Sequence, residues 1–175
     1  MQTAMKPVQR NRAIAWSAAL FRTSVSSPAS DLALAAVRFA LTWIFVYYGG
    51  SKLFGWWHGM GIHGTSLYFA NTAHLHPGGF FAVLGGLIEF GGAIAIALGL
   101  ASRLAGLALV GDMVMAMITI TFGNGFNSEK LPAGYEFNVA LAVLALVIVL
   151  LGAGRFSVDA LIERRITALG RRTTA

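Results

Sequence analysis

The chain contains no cysteine, which removes thiol relays, disulfide exchange, iron–sulfur clusters and cysteine-ligated zinc from the chemistry it can perform alone. Any reactive thiol in a reaction it serves must belong to a partner or a substrate, and compartment cannot be read from disulfides. Charge is scarce as well. Asp, Glu, Lys and Arg make up 11% of the 175 residues against a hydrophobic share of 57%, whereas a soluble domain carries about a quarter charged residues. There is no dinucleotide fingerprint: the pairs Gly49-Gly50 and Gly91-Gly92 lie inside apolar runs and read as helix-packing signals rather than phosphate loops. No ten-residue alternation of apolar and polar residues occurs, so a β-barrel reading fails.

What the sequence does have is four apolar runs, at about 32–54, 79–99, 103–122 and 135–152. Each is close to the ~20 residues that a helix needs to cross ~30 Å of hydrocarbon. The expected fold is therefore all-α, an integral membrane four-helix bundle. Its parts are a basic tail over 1–30, the four-helix domain over 31–155 and a second basic tail over 156–175. The turn Leu100–Ser102 is so short that the second and third spans must be antiparallel neighbours.

Lysine and arginine set the orientation. Lys6, Arg10, Arg12 and Arg22 precede the first span, Arg103 ends the short turn, and Arg155, Arg164, Arg165, Arg171 and Arg172 follow the fourth span. The Trp56–Pro77 loop has none, and the Gly123–Gly134 loop has only Lys130, beside Glu129. The positive-inside rule then puts both termini in the cytoplasm, and the expected location is the plasma membrane. Trp43, Tyr47, Tyr48, Trp56, Trp57 and Tyr68 suit an aromatic belt at the outer interface.

The formal net charge of +6 does not point to nucleic acid, because the basic residues sit in the tails beside apolar spans. That arrangement suits contact with anionic lipid, worth about 1 kcal/mol per basic residue. The apolar patch Ala13–Phe21 is cut short by Arg22, so the first tail reads as retained rather than as a signal peptide. In the last tail, Val158, Leu161, Ile162, Ile166 and Leu169 fall broadly on one helical face, the pattern of a basic amphipathic helix on the inner leaflet.

Five ionisable residues fall within or at the ends of the spans: Arg38, Lys52, Glu89, Asp112 and Glu136. A charge in hydrocarbon costs at least ~2.5 kcal/mol, so such residues are expected to face the bundle interior and to pair. Counted along the helix rise from the inner end, Arg38 lies ~9 Å deep, Asp112 ~14 Å and Glu89 ~15 Å. These three are expected to form one buried group, with Lys52 and Glu136 pairing near the outer boundary. Glu89 lies on a stripe with Gly85 and Gly92, and Asp112 on one with Ala108 and Ala116; small residues at that spacing allow close helix approach.

One base with two acids is most cheaply arranged with one acid ionised and the other holding a proton. A proton relay or a quinone site requires such a shared proton. The same residues also suit a hydrogen-bonded network that locks the bundle, and Lys52 alone could snorkel to outer headgroups. The four histidines, His58, His63, His74 and His76, all fall in the first outer loop. That argues against a buried bis-histidine haem, and no metal site is expected. Met113, Met115 and Met117 suit packing better than a pliable pocket.

Taken in order, Arg38, Gly49-Gly50-Ser51-Lys52-Leu53, Glu89, Gly99-Leu100 with Arg103, Met115-Ala116, Glu136 and the run from Gly152 to Asp159 resemble the DoxX family over roughly residues 31–162. Asp112 matches no position of that pattern, so its role rests on depth alone. The resemblance implies a four-helix membrane protein associated with oxidoreductase assemblies. Related proteins are linked to thiosulfate oxidation coupled to quinone, and some to a membrane complex with a sulfurtransferase and a superoxide dismutase that handles thiols and oxidative stress.

Three functions follow as expectations. The chain serves as the membrane subunit of a redox complex, with quinone as the implied cofactor and catalysis by this chain alone the weakest form. Alternatively it is a non-catalytic anchor that recruits soluble enzymes. The third reading, a small transporter or lipid-handling protein, requires a homo-oligomer, because four spans leave little room for a path.

Overall fold

The computed structural model describes residues 27–127, 129 and 131–172, with side chains to residue 168. Most of the first tail, Lys130, and the side chains of Leu169, Arg171 and Arg172 lie outside the described residues. Within them the chain is all helical.

Helix α1 (Pro28–Phe54) begins at a capping box in which Ser27 and Ser30 satisfy each other's backbone N–H, with Pro28 in the first helical position. That position tolerates proline because its N–H has no intrahelical partner. A short turn over Trp56–His58 leads to α2 (Gly61–Asn71), then α3 (Gly78–Leu98) and α4 (Ser102–Ala116). Helix α4 continues through a widened π turn, Met117–Thr121, and a tighter one, Phe122–Asn124. Helices α5 (Glu136–Leu151) and α6 (Val158–Arg172) complete the chain.

Helices α1, α3 and the continuous Ser102–Asn124 segment are long and apolar enough to cross a membrane. Helix α5 is apolar but has only 16 residues, about 24 Å of rise. The chain is thus a helical membrane protein whose bundle pairs α1 with α3 and α4 with α5. Leu41, Phe45, Ile96, Leu109, Ala145 and Ile148, drawn from all four helices, are fully buried at its centre.

Helix α2 is a departure from the loop expected between Trp56 and Pro77. Its two glycines and His63 obscure a short buried face made by Thr65 and Phe69, one turn apart. With Ala73, Phe69 packs on Ala82 of α3. Helix α2 therefore covers the first turns of α3, which extend past the end of α1.

Candidate functional site

Two glycine contacts fix how far α1 slides along α3. A β-carbon on Gly49 would stand 2.5 Å from the backbone nitrogen of Phe90, and one on Gly86 would meet the Leu53 side chain at 2.6 Å. These contacts bring the last turn of α1 opposite the middle of α3, not its end. Side chains on a helix lean toward its N-terminus. Lys52 accordingly leans back into the bundle, and Glu89 on the antiparallel α3 leans up to meet it. Lys52 Nζ donates to Glu89 Oε1 at 2.6 Å, with the glutamate 2% exposed and the lysine side chain 25% exposed.

The pairings expected from depth are therefore corrected. Lys52 pairs with Glu89, not with Glu136. Glu136 stands half-buried in the first turn of α5, its backbone N–H bonded to Phe126 O.

Arg38 does not join the acids. It spreads its guanidinium over four carbonyls: Nε to Ile96 at 2.9 Å, Nη2 to Ala97 at 2.7 Å, and Nη1 to Ala153 at 3.0 Å and Phe156 at 2.7 Å. Ile96 and Ala97 belong to the last turn of α3, where carbonyls lack helical partners and the helix dipole is negative. Gly99, at φ 63°, turns the chain away there, and a β-carbon on it would strike Ser157.

Two further charges sit at helix ends in the same way. Arg103 Nη1 donates to Val149 O and Leu150 O at the end of α5. Asp159, 2% exposed, accepts from the Ala101 and Ser102 amides and the Ser102 hydroxyl at the start of α4. It holds Ala101 at a left-handed φ of 45°. Asp31, also buried, accepts from the Arg155 amide at 3.2 Å. Sequence reasoning missed Asp31 and Asp159 as buried charges. The available signal was an acid at the edge of an apolar run, which is where a helix start can use one.

Helix ends account for Arg38, Arg103 and Asp159. They do not account for Glu89, in the middle of α3, or for Asp112, well inside α4. These two carboxyls lie close enough to interact, and both interact with Lys52. Glu89 Oε2 is buried and has no hydrogen-bond partner.

The cluster borders a cavity of about 310 Å³ walled by α2, α3 and α4, into which Lys52 and Asp112 project. Phe69, Phe81, Leu84 and Ile88 make its lining mostly apolar. Gly85 and Gly111 leave room where side chains would intrude, and the π turn contributes Thr119 and Ile120. A π turn widens a helix and recurs at functional sites. Met115 lines the cavity whereas Met113 is buried in the core. Among the described residues no group of three or more His, Asp and Glu gathers to hold a metal ion.

A family model described as DoxX matches residues 33–122. The matched segment contains Arg38, Lys52, Glu89 and Asp112 and ends before Glu136 and the Gly152–Asp159 run. No curated protein and no solved structure is significantly similar to the chain.

Proposed function

The chain belongs to the DoxX family, and from that premise we propose that it is a four-crossing plasma-membrane subunit of an oxidoreductase complex, with both termini in the cytoplasm. In this role it links thiol, thiosulfate or oxidative-stress chemistry to the quinone pool. The observation that carries the proposal is the Lys52–Glu89–Asp112 cluster beside the cavity, because no helix end accounts for its two carboxyls. Two carboxyls facing one ammonium can hold a proton between them. Glu89 Oε2, lacking a partner, is a ready acceptor for it.

Quinone, the cofactor that the family implies, would supply acceptance of electrons and protons. The residues present fit its head group. The cavity's volume of about 310 Å³ lies within the range of small-molecule sites, at its lower end, and its lining is largely apolar as such sites are. Lys52 has N–H donors beyond the one given to Glu89, and Thr65 brings a hydroxyl. These two would hold carbonyl oxygens, while Glu89 and Asp112 take up or release the proton.

A chain without cysteine needs a thiol-handling partner for this role. A sulfurtransferase and a superoxide dismutase are the kinds of partner that the resemblance implies. Mass spectrometry of the protein gently extracted from its native membrane tests the assignment. Redox enzymes and quinone extracted with it are expected; extraction with lipid alone contradicts it.

A further inference from the structure

Threonine in a helix ordinarily returns its hydroxyl to the carbonyl four residues back. Thr119 does so to Met115 O at 2.8 Å, and Thr167 to Glu163 O at 2.8 Å. Thr42 and Thr121 instead find partners on neighbouring helices, Ala93 O and Asn138 Oδ1. Thr65 does none of these. It is 1% exposed, its Oγ1 has no hydrogen-bond partner, and it lines the cavity between α2, α3 and α4. A buried hydroxyl left without a partner costs about 1–3 kcal/mol, so the fold keeps at this position a group that valine could replace at no cost to its shape.

We propose that the α2–α3–α4 cavity is a binding site for a small uncharged lipophilic molecule bearing a hydroxyl or carbonyl, and that Thr65 Oγ1 is its hydrogen-bond anchor. The cavity is the right kind of space for such a molecule. Phe69, Phe81, Leu84 and Ile88 supply an apolar body, and Gly85 leaves room within it, since a β-carbon there would stand 3.6 Å from Asp112 Oδ1 and 3.9 Å from the Phe69 ring. A hydroxyl can either give or take a hydrogen bond, so Thr65 suits both an alcohol and a carbonyl; of the other hydroxyls lining the cavity, that of Thr119 is already given to Met115 O.

The charge pattern disfavours an anion, which would face the Glu89 and Asp112 carboxyls with the single Lys52 ammonium to set against both. The inference shares its cavity with the quinone reading but does not need quinone to be the occupant.

The test uses the full chain in lipid nanodiscs, with empty nanodiscs as the partition blank. The probes are 4-phenylbutanol, its amine and carboxylate analogues, and a short-chain ubiquinone. Wild type is expected to bind the alcohol saturably, and Thr65→Val to bind it about tenfold more weakly with thermal stability unchanged or raised. Gly85→Leu, whose added side chain starts between Asp112 and Phe69, is expected to abolish binding.

Equal binding by Thr65→Val, or a fall in its stability matching the fall in binding, would overturn the proposal. So would tighter binding of the amine, which would move the anchor to Asp112, or of the carboxylate, which would move it to Lys52. Absence of saturable alcohol binding to wild type would overturn it outright. If ubiquinone fails while the alcohol binds through Thr65, the quinone reading falls and this one stands.

Discussion

Gly49 of α1 lies so close to Phe90 of α3 that a β-carbon in its place would stand 2.5 Å from the Phe90 nitrogen. This contact sets the register that brings Lys52 to Glu89. The clash is with backbone, which cannot swing aside as a flexible side chain can. Gly49→Val is therefore expected to cost about 3 kcal/mol, the upper range for overpacking a tight site. It should also weaken the pairing of Lys52 with Glu89. Gly91→Ala is the control: nothing lies within 4 Å of its added carbon, and it should be neutral or stabilise by about 0.5–1 kcal/mol through helix propensity. Thermal unfolding of both variants in mild detergent checks the pair.

Arg38 gives a second prediction, because its guanidinium joins carbonyls from α3 and from the segment before α6. Hydrogen bonds to a charged group contribute about 1.5–3 kcal/mol each and are not additive, so Arg38→Ala is expected to cost about 3–5 kcal/mol. Lysine keeps the charge but not the planar fork, and Arg38→Lys should recover less than about half of the loss. Chemical unfolding with both variants measures this. A fully stable Arg38→Lys would mean that charge at the end of α3, not the geometry of the fork, is what matters.

The proposed topology is testable because the chain has no cysteine, so a single introduced thiol reports its own position. Thr72→Cys, exposed just after α2, should react with a membrane-impermeant maleimide on intact spheroplasts. Ala168→Cys, exposed on α6, should react only after permeabilisation. Labelling of both from outside would reverse the orientation of the last segment and require an even number of crossings between the two sites in place of three.

Apolar run length revealed the main helices: the runs at 32–54, 79–99 and 103–122 correspond to the three helices long enough to span, and that at 135–152 to α5. Helix α2 was hidden because its buried face is only Thr65 and Phe69 among glycines and polar residues. That Glu89 and Asp112 would meet other charged groups inside the bundle was legible, since an acid inside an apolar run must be accounted for. Their partner was not. Counting residues from span ends gives the height of an α-carbon, not the place to which a long side chain such as that of Lys52 or Arg38 reaches. The register set by Gly49 on Phe90 shifts those heights again. Arg38 looked like a mid-membrane charge until the end of α3 was in place beside it.

The central claim is that the Lys52–Glu89–Asp112 cluster, with its two mid-helix carboxyls, carries the working chemistry, while Arg38, Arg103 and Asp159 at helix ends hold the bundle together. Quinone-dependent oxidation of thiosulfate or thiols by native membranes carrying Glu89→Gln tests it most directly, with the variant's membrane abundance checked against wild type. Loss of a proton-carrying group is expected to lower the rate by about a hundredfold or more at equal abundance. An unchanged rate would contradict the account and leave the cluster a structural pair.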